Sequence, residues 1–375
     1  MPSRKKKLLV SGTSIAGLCT AFWMHRFGYQ VTLVDIARGL RRGGTAVDIK
    51  GNTVDIARRM GILEAIRANR LSLMRWEVKN EDDVTERALI VRGENDPPPE
   101  DEMEIERDAL TGILYGAVKD VVELVWDDSI TALTEVEGGA MQATFARGAP
   151  RSFDLVIGCD GLRSGVRKLW FGADAEYLHF LGQYFSITIV DKLLIERDIA
   201  QMYNEPGKAV MLNAYKNKTD IVFAFATDQE ISYDHRDQAQ QRRIIEERFA
   251  GCSWRTKALL EEVRGSQSFY FDKLCQVRMP YWTKGRVALV GDAAYCASPA
   301  AGMGGSLAID GAAALADAMR DHPDDLPRAF RDYDQRFRPF IEEIQAEAVR
   351  TGVESLVPRT REAIRARNAK TGSDF

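Results

Sequence analysis

The sequence predicts an α/β fold: a Rossmann-like domain, a mostly antiparallel β-sheet domain inserted into it, and helices at the C-terminal end. Three observations carry this. Short apolar runs at Leu8-Leu9-Val10, 153–159 and 286–290 read as strands buried on both faces. Residues 181–228 alternate with period two, as Ile221 to Ala226 do, which is the pattern of antiparallel strands. From Leu326 onward the pattern is helical, with Pro358 separating two segments.

The elements follow in order. Leu8 to Val10 is a strand, Gly12 to Gly17 a turn, and Ala16 to Phe27 a helix of small residues ended by Gly28. Gln30 to Asp35 is a second strand, which completes a βαβ unit. Short alternating stretches within 71–93 suggest antiparallel strands. Residues 94–104 are acidic, contain three consecutive prolines, and read as an exposed extended loop without a functional role. Arg107 to Lys119 is a helix, and strands flank a Gly138-Gly139 turn within 121–144. Residues 238–264 return to helical periodicity. The strand at 286–290 leads into a glycine-rich turn and another small-residue helix.

The 375 residues allow two domains. A net charge of −4 argues against nucleic acid or an anionic membrane surface as partner, since both select basic faces. The five cysteines, at 19, 159, 252, 275 and 296, are odd in number and never spaced C-x-x-C, so the chain reads as a protein of a reducing compartment without disulfides. His25, His179, His235 and His322 are scattered, which disfavours a metal site. No apolar run reaches the roughly 18 residues that a membrane span needs. Arg4 to Lys7 followed by Leu8 to Val10 is interrupted at Gly12, so it reads as a solvated tail and not a signal peptide. The expectation is a cytoplasmic monomer acting on a small molecule.

Three motifs carry chemistry. The first is Gly12-Thr13-Ser14-Ile15-Ala16-Gly17, between a strand and a helix. Its first glycine permits a tight turn, its last lets the helix pack against the strand, and the helix N-terminus offers unpaired N–H groups to a pyrophosphate. Asp35 ends the second strand, where an acid can accept from ribose hydroxyls. Ser14 replaces the middle glycine. Alone the motif also suits nicotinamide enzymes, or any α/β domain with a glycine turn. The second motif is Asp154 to Arg167, in which a buried strand delivers Asp160-Gly161; an Asp cap on a helix explains Asp160 but not the whole run. The third is Gly291-Asp292-Ala293-Ala294 through Pro299, Gly302, Gly304 and Gly305. A helix beginning near Gly304 suits the negative charge that a reduced flavin develops at N1 and O2.

In this order, along nearly the whole chain, the motifs resemble those of group A flavoprotein monooxygenases, with their para-hydroxybenzoate hydroxylase-like fold. Within that group the chain is most similar to the tetracycline-inactivating monooxygenases, the tetracycline destructases. Ser11 to Gly17, Gly43 to Gly51, Ile105 to Asp108, Phe269 to Asp272 and Trp282 to Cys296 carry the likeness. The resemblance implies a GR2-type FAD-binding domain over 1–73, 100–176 and 269–322. It implies a substrate domain over 74–99 and 177–268, and bridging and gating helices over 323–375. It implies FAD contacts from Gly12, Ser14, Ile15, Ala16, Gly17, Asp35, Asp160, Pro299, Gly302, Gly304 and Gly305. Asp48 would lie beside the ring, Arg107 would reach the flavin from its helix, and Asp292 would hold the ribityl chain. Arg41 or Arg42 falls near a family arginine linked to NADPH, with different local spacing, and a solvated basic turn explains the pair equally well. Ile36 stands where many relatives have an arginine, a task left to Arg38, Arg41 or Arg42. Thr188, Met211 and Phe223 would line the substrate pocket, with ordinary sheet core as the plain alternative for each. The segment from Arg359 to Lys370 would close over the opening.

The family's chemistry follows: NADPH reduces FAD, oxygen adds at C4a, and the hydroperoxide hydroxylates an electron-rich ring or enol. The protein then needs no metal, nucleophile or triad, but must exclude water. Hydroxylation and inactivation of a tetracycline is the leading expectation. Hydroxylation of another phenol or aromatic polyketide is the alternative, and a non-catalytic flavin- or ligand-binding protein is a third. The chain lacks the Trp-x-Trp-x-Ile-Pro stretch of flavin halogenases and the paired cysteines of disulfide reductases.

Overall fold

The computed structural model describes residues 5–93, 96 and 99–369. Arg4, Glu94, Asn95, Pro97, Pro98 and Lys370 therefore lie outside the described residues. The first half runs β1 (Lys7–Ser11), α1 (Ile15–Arg26), β2 (Gln30–Asp35), β3 (Val47–Lys50), α2 (Asn52–Met60), α3 (Leu63–Ala68), β4 (Arg75–Lys79), β5 (Thr85–Ile90), β6 (Glu102–Ile105), α4 (Arg107–Val118), β7 (Glu123–Trp126), β8 (Ile130–Glu135), β9 (Met141–Phe145), β10 (Arg151–Phe153), β11 (Leu155–Gly158) and α5 (Gly165–Trp170). The second half runs β12 (Leu178–Val190), β13 (Ile199–Glu205), β14 (Lys208–Tyr215), β15 (Lys218–Ala226), α6 (Gln238–Phe249), α7 (Thr256–Gly265), β16 (Ser268–Val277), β17 (Thr283–Lys284), β18 (Val287–Leu289), α8 (Asp292–Tyr295), α9 (Gly304–Asp321), α10 (Leu326–Glu347), α11 (Val353–Leu356) and α12 (Arg361–Asn368).

The apolar runs form one sheet in the order β17-β18-β11-β1-β2-β7, parallel except at β17. Leu8, Leu9 and Val10 are fully buried at its centre, as a strand covered on both faces requires. The helices α1 and α9 pack on one another, and small residues let α9 come close: a Cβ on Gly311 would lie 1.7 Å from the Tyr295 hydroxyl.

A second sheet runs β16-β12-β15-β14-β13-β4-β5, antiparallel except for the β13–β4 pair. It gathers strands from both sides of the parallel-sheet segments. Because β16 belongs to it, this sheet extends past the expected boundary at 268, to Val277. Alternation gives it two apolar faces. The outer face carries Tyr184, Val210, Leu212, Ile221, Phe223 and Phe225 and is covered by α6 and α7. The inner face carries Phe185, Ile187, Met202, Ala209, Ala224 and Leu274, and meets Ala300, Leu356 and Val357.

One loop expectation is corrected. The end of the acidic 94–104 stretch is not loop: Glu102–Ile105 forms β6, antiparallel to β3. Met103 and Ile105 alternate with glutamates and bury their side chains, a period-two signal hidden behind the prolines. After α10, a π-helical turn at Ala348–Gly352 brings the chain against the Pro299–Ala301 turn. Among the described residues no helix is long and apolar enough to cross a membrane.

Candidate functional site

The β1–α1 turn can be made only by glycine at two positions. Gly12 has φ +103°, and a Cβ there would stand 2.5 Å from the Cys159 carbonyl oxygen. A Cβ on Gly17 would stand 1.8 Å from the Gly12 carbonyl oxygen. Ser14 is the N-cap of α1, but its hydroxyl donates to the Cys159 carbonyl at 3.1 Å and does not cap the helix. The first-turn N–H groups at Ile15, Ala16 and Gly17 therefore remain available to an anion. Asp35 is buried at the end of β2. Its Oδ2 accepts from the Thr13 amide and hydroxyl, both at 2.7 Å, and its Oδ1 from the Ala37 amide at 2.8 Å. Thr13 is thus a residue that sequence reasoning passed over, although it lies inside the motif.

Asp160 is occupied by its own surroundings. The Ser164 hydroxyl donates to Oδ1, while the Val166 amide (3.1 Å) and the Ser11 hydroxyl (3.4 Å) donate to Oδ2. Ser164 in turn accepts from the Arg167 amide as N-cap of α5. Asp160 shapes the loop between β11 and α5, which faces the β1–α1 turn. Burial raises its carboxyl pKa, and these bonds oppose the rise.

The third motif meets two more segments. Asp292 begins α8; it is accessible at its surface, yet protein surrounds it, and that burial raises its carboxyl pKa against the opposing pull of Cys296 and Arg107. Arg107 begins α4 and donates to the Gly43 carbonyl at 2.9 Å, and its Cδ would stand 2.9 Å from a Cβ on Gly44. Asp108 accepts from the Gly43 amide at 2.9 and 3.0 Å. These bonds fix the Gly43-Gly44 loop. Pro299 opens a short 3-10 turn, Gly302 is left-handed at φ +65°, and Gly304 starts α9. A Cβ on Gly305 would stand 2.0 Å from Val47 Cγ1, so α9 lies hard against β3. Ser306, also missed from the sequence, donates to the Asp48 carbonyl at 2.6 Å and ties α9 to β3. Asp48 itself is desolvated, which raises its carboxyl pKa.

Arg41 and Arg42 lie at the edge of this site, beside Asp35 and Asp108. Arg41 stands 3.6 Å from Asp35, and both arginines line a cavity of about 730 Å³ with Arg38, Asp108, Thr111, Tyr115 and Trp126. The three pocket candidates separate. Met211 is on the inner face of the second sheet. Thr188 and Phe223 are not: Thr188 pairs with Ile221 on the outer face, and the Phe223 ring lies 4.7 Å from that of Phe249 on α6. The expectation that they line the pocket is corrected on this point, since residues one step apart on a strand face opposite ways. A further cluster on the inner face, Arg163 with Asp272 (2.7 Å) and Tyr270 with Asp272 (2.9 Å), joins the second motif to the Phe269–Asp272 stretch, a meeting that neither stretch announces alone.

These residues fit a flavin dinucleotide: a glycine turn that a Cβ would fill, an uncapped helix N-terminus beyond it, and a desolvated carboxyl at the far end. The chain matches the family described as FAD binding domain over residues 5–343. It is 35% identical to a flavin-dependent monooxygenase of an unknown prokaryotic organism, covering 91% of this chain and 88% of the relative. It is 38% identical to an uncharacterized protein of Mycobacterium tuberculosis, covering 91% and 92%. Among solved structures it is similar to the tetracycline destructase Tet(55), with TM-score 0.85 and 33% identity over 98% of this chain and 95% of that one. Tet(51) gives TM-score 0.85 and 32% identity over 97% and 95%.

Proposed function

Because the chain belongs to the FAD-binding family of flavin-dependent monooxygenases, we propose that it spends NADPH and dioxygen to hydroxylate, and so inactivate, tetracyclines. The observation that carries this reading is the likeness to tetracycline destructases along nearly the whole chain. Bound FAD, reduced by NADPH, supplies the electrons and activates dioxygen for attack on an electron-rich ring or enol.

The chain's own residues bind, orient and shield. The first-turn amides of α1 hold the pyrophosphate, with Gly12 and Gly17 giving them clearance. Asp35 would hold the ribose, its carboxylate oriented by Thr13 at Oδ2 and by the Ala37 amide at Oδ1. Asp292 accepts from the ribityl hydroxyls. Backbone amides between Pro299 and Gly305 would hold the ring edge, and the N-terminus of α9 would favour negative charge there. Arg107 holds the loop beside the ring, and Asp48 flanks it. Ile187, Ile189, Met211 and Val222 form an apolar wall that keeps water from the reacting atoms. Arg41 and Arg42 receive the extra phosphate of NADPH at their cavity; if Arg41→Ala and Arg42→Ala leave the KM for NADPH unchanged, the pair is only a solvated turn. The segment carrying α12 closes over the substrate opening, and the protein acts as a cytoplasmic monomer.

That apolar wall favours a second reading, hydroxylation of another phenol or aromatic polyketide on the same scaffold. The test is to purify the protein, record its flavin spectrum, and follow NADPH and tetracycline absorbance in air. NADPH consumed with another phenol while tetracycline stays intact would select the second reading.

A further inference from the structure

We propose that the seam between β6 and β15 is a binding site for a protonated amine on the substrate, with Glu104 as the contact carboxyl and Asp220 as the positioning residue behind it. This rests on the monooxygenase reading above and adds one chemical feature of its substrate, a basic nitrogen.

On β3 and β6 the side chains of Val47, Ile49, Met103 and Ile105 enter the core of the parallel-sheet domain. Asp48 and Glu104 alternate with them, so they turn the other way, and they stand directly opposite in register. Opposed like charges destabilise an antiparallel pair unless something compensates them. From the inner face of the second sheet, Asp220 adds a third carboxyl within electrostatic reach of Glu104. Asp220 is fully buried. Its Oδ1 accepts from the Tyr215 hydroxyl at 2.8 Å, and its Oδ2 has no hydrogen-bond partner.

Most of the basic groups around the seam are already engaged. Lys216 and Lys218 both bind Glu106, and Arg107 binds the Gly43 carbonyl. Lys50 lies near Asp48, while Glu102 and Asp108 add negative charge nearby. Acids outnumber bases, and the free protein compensates by protonation. Burial and then the Asp48 and Asp220 charges push Glu104 up to about 7; burial, with Glu106 adding to it, pushes Asp220 up to about 7 as well. A cation brings the countercharge that these protons now supply. An alkylammonium fits better than a neutral hydroxyl, because it adds both charge and N–H donors. Glu104 keeps accessible surface, and Met211 and Val222 are the next inner-face positions after Asn213 and Asp220.

The experiment titrates the flavin fluorescence of purified holoenzyme with two matched pairs: tetracycline against its 4-dedimethylamino derivative, and tyramine against 4-ethylphenol. The amine member of a pair should bind about ten-fold tighter or more, as a charge-assisted contact requires. Its affinity should rise with pH through about 7 as Glu104 ionises. Glu104→Gln should abolish both the preference and the pH dependence. Asp220→Asn, which removes a neighbouring negative charge, should move the midpoint to lower pH and keep the preference. Equal affinity within the pair that binds, or a preference that survives Glu104→Gln, overturns the amine site. An unmoved midpoint in Asp220→Asn overturns the part assigned to Asp220. Tetracycline bound no better than its amine-free derivative leaves the tetracycline reading standing without the amine site. Tyramine preferred over 4-ethylphenol, with no tetracycline binding, does the reverse. Binding of neither pair overturns both.

Discussion

Ser14 occupies the position where a phosphate-binding turn usually has its second glycine, and its hydroxyl donates to Cys159 and so points away from the turn. The departure was visible in the sequence, but its resolution was not, because Cys159 arrives from β11. Ser14→Gly should therefore leave the flavin content of the purified protein unchanged. Gly17→Ala is different: its Cβ would meet the Gly12 carbonyl oxygen at 1.8 Å, where only backbone can give way. That variant should lose most of its flavin, read as the ratio of flavin to protein absorbance. Asp292→Ala should be colourless, and a fully loaded variant would contradict its role.

Asp310 gives a pH test. Burial pushes its carboxyl up to about 6, against the Thr53 hydroxyl bonded to it at 2.8 Å. With the folded value above the ordinary 3.8, its stabilising contribution is complete below 3.8 and is lost as the pH rises through about 6. Asp310→Asn should flatten the fall in apoprotein Tm across that window, and an unchanged slope would remove Asp310 as a cause. Thr188 and Phe223 mark the limit of sequence reading at this scale. Alternation put Phe223 and Phe225 on one face and Val222 and Ala224 on the other, but which face meets the cofactor domain depends on where α6 and α7 pack.

At the scale of elements, the β1–α1–β2 unit and the start of α9 were legible because glycines and buried runs punctuate them. The strand β6 was not, since acids and prolines in the preceding stretch masked two buried positions, Met103 and Ile105. The C-terminal segment is fastened to the second sheet by carbonyl contacts. Gln183 donates to Val353 at 2.7 Å, the Gly207 amide donates to Pro358 at 2.8 Å, and Asn204 of β13 donates to Leu356 at 3.3 Å. Arg359 adds an ion pair with Asp228 at 2.7 Å. Deleting 359–375 should leave FAD content intact and raise the KM for tetracycline roughly three- to ten-fold, as expected of a lost closing element. A parallel loss of flavin would mean that the segment supports the cofactor domain instead. Gly352, upstream of the deleted residues, packs against that domain, because a Cβ there would stand 2.3 Å from the Ala300 carbonyl oxygen.

At the scale of the whole molecule, two sheets share one seam. The parallel sheet presents helix ends and glycine turns, and the second sheet presents an apolar inner face. The order of the three motifs announced this architecture because each sits where a buried strand meets a helix. What the sequence could not supply is how distant segments meet, as β4 and β5 do with β13. As proposed above, FAD bound at this seam would oxygenate a tetracycline. The most direct test incubates the purified yellow protein with NADPH and tetracycline under isotopically labelled dioxygen and weighs the product. NADPH consumption should depend on tetracycline, with one labelled oxygen atom in the product. Tetracycline recovered unchanged and unlabelled, from protein that carries its full complement of FAD, would contradict that reading.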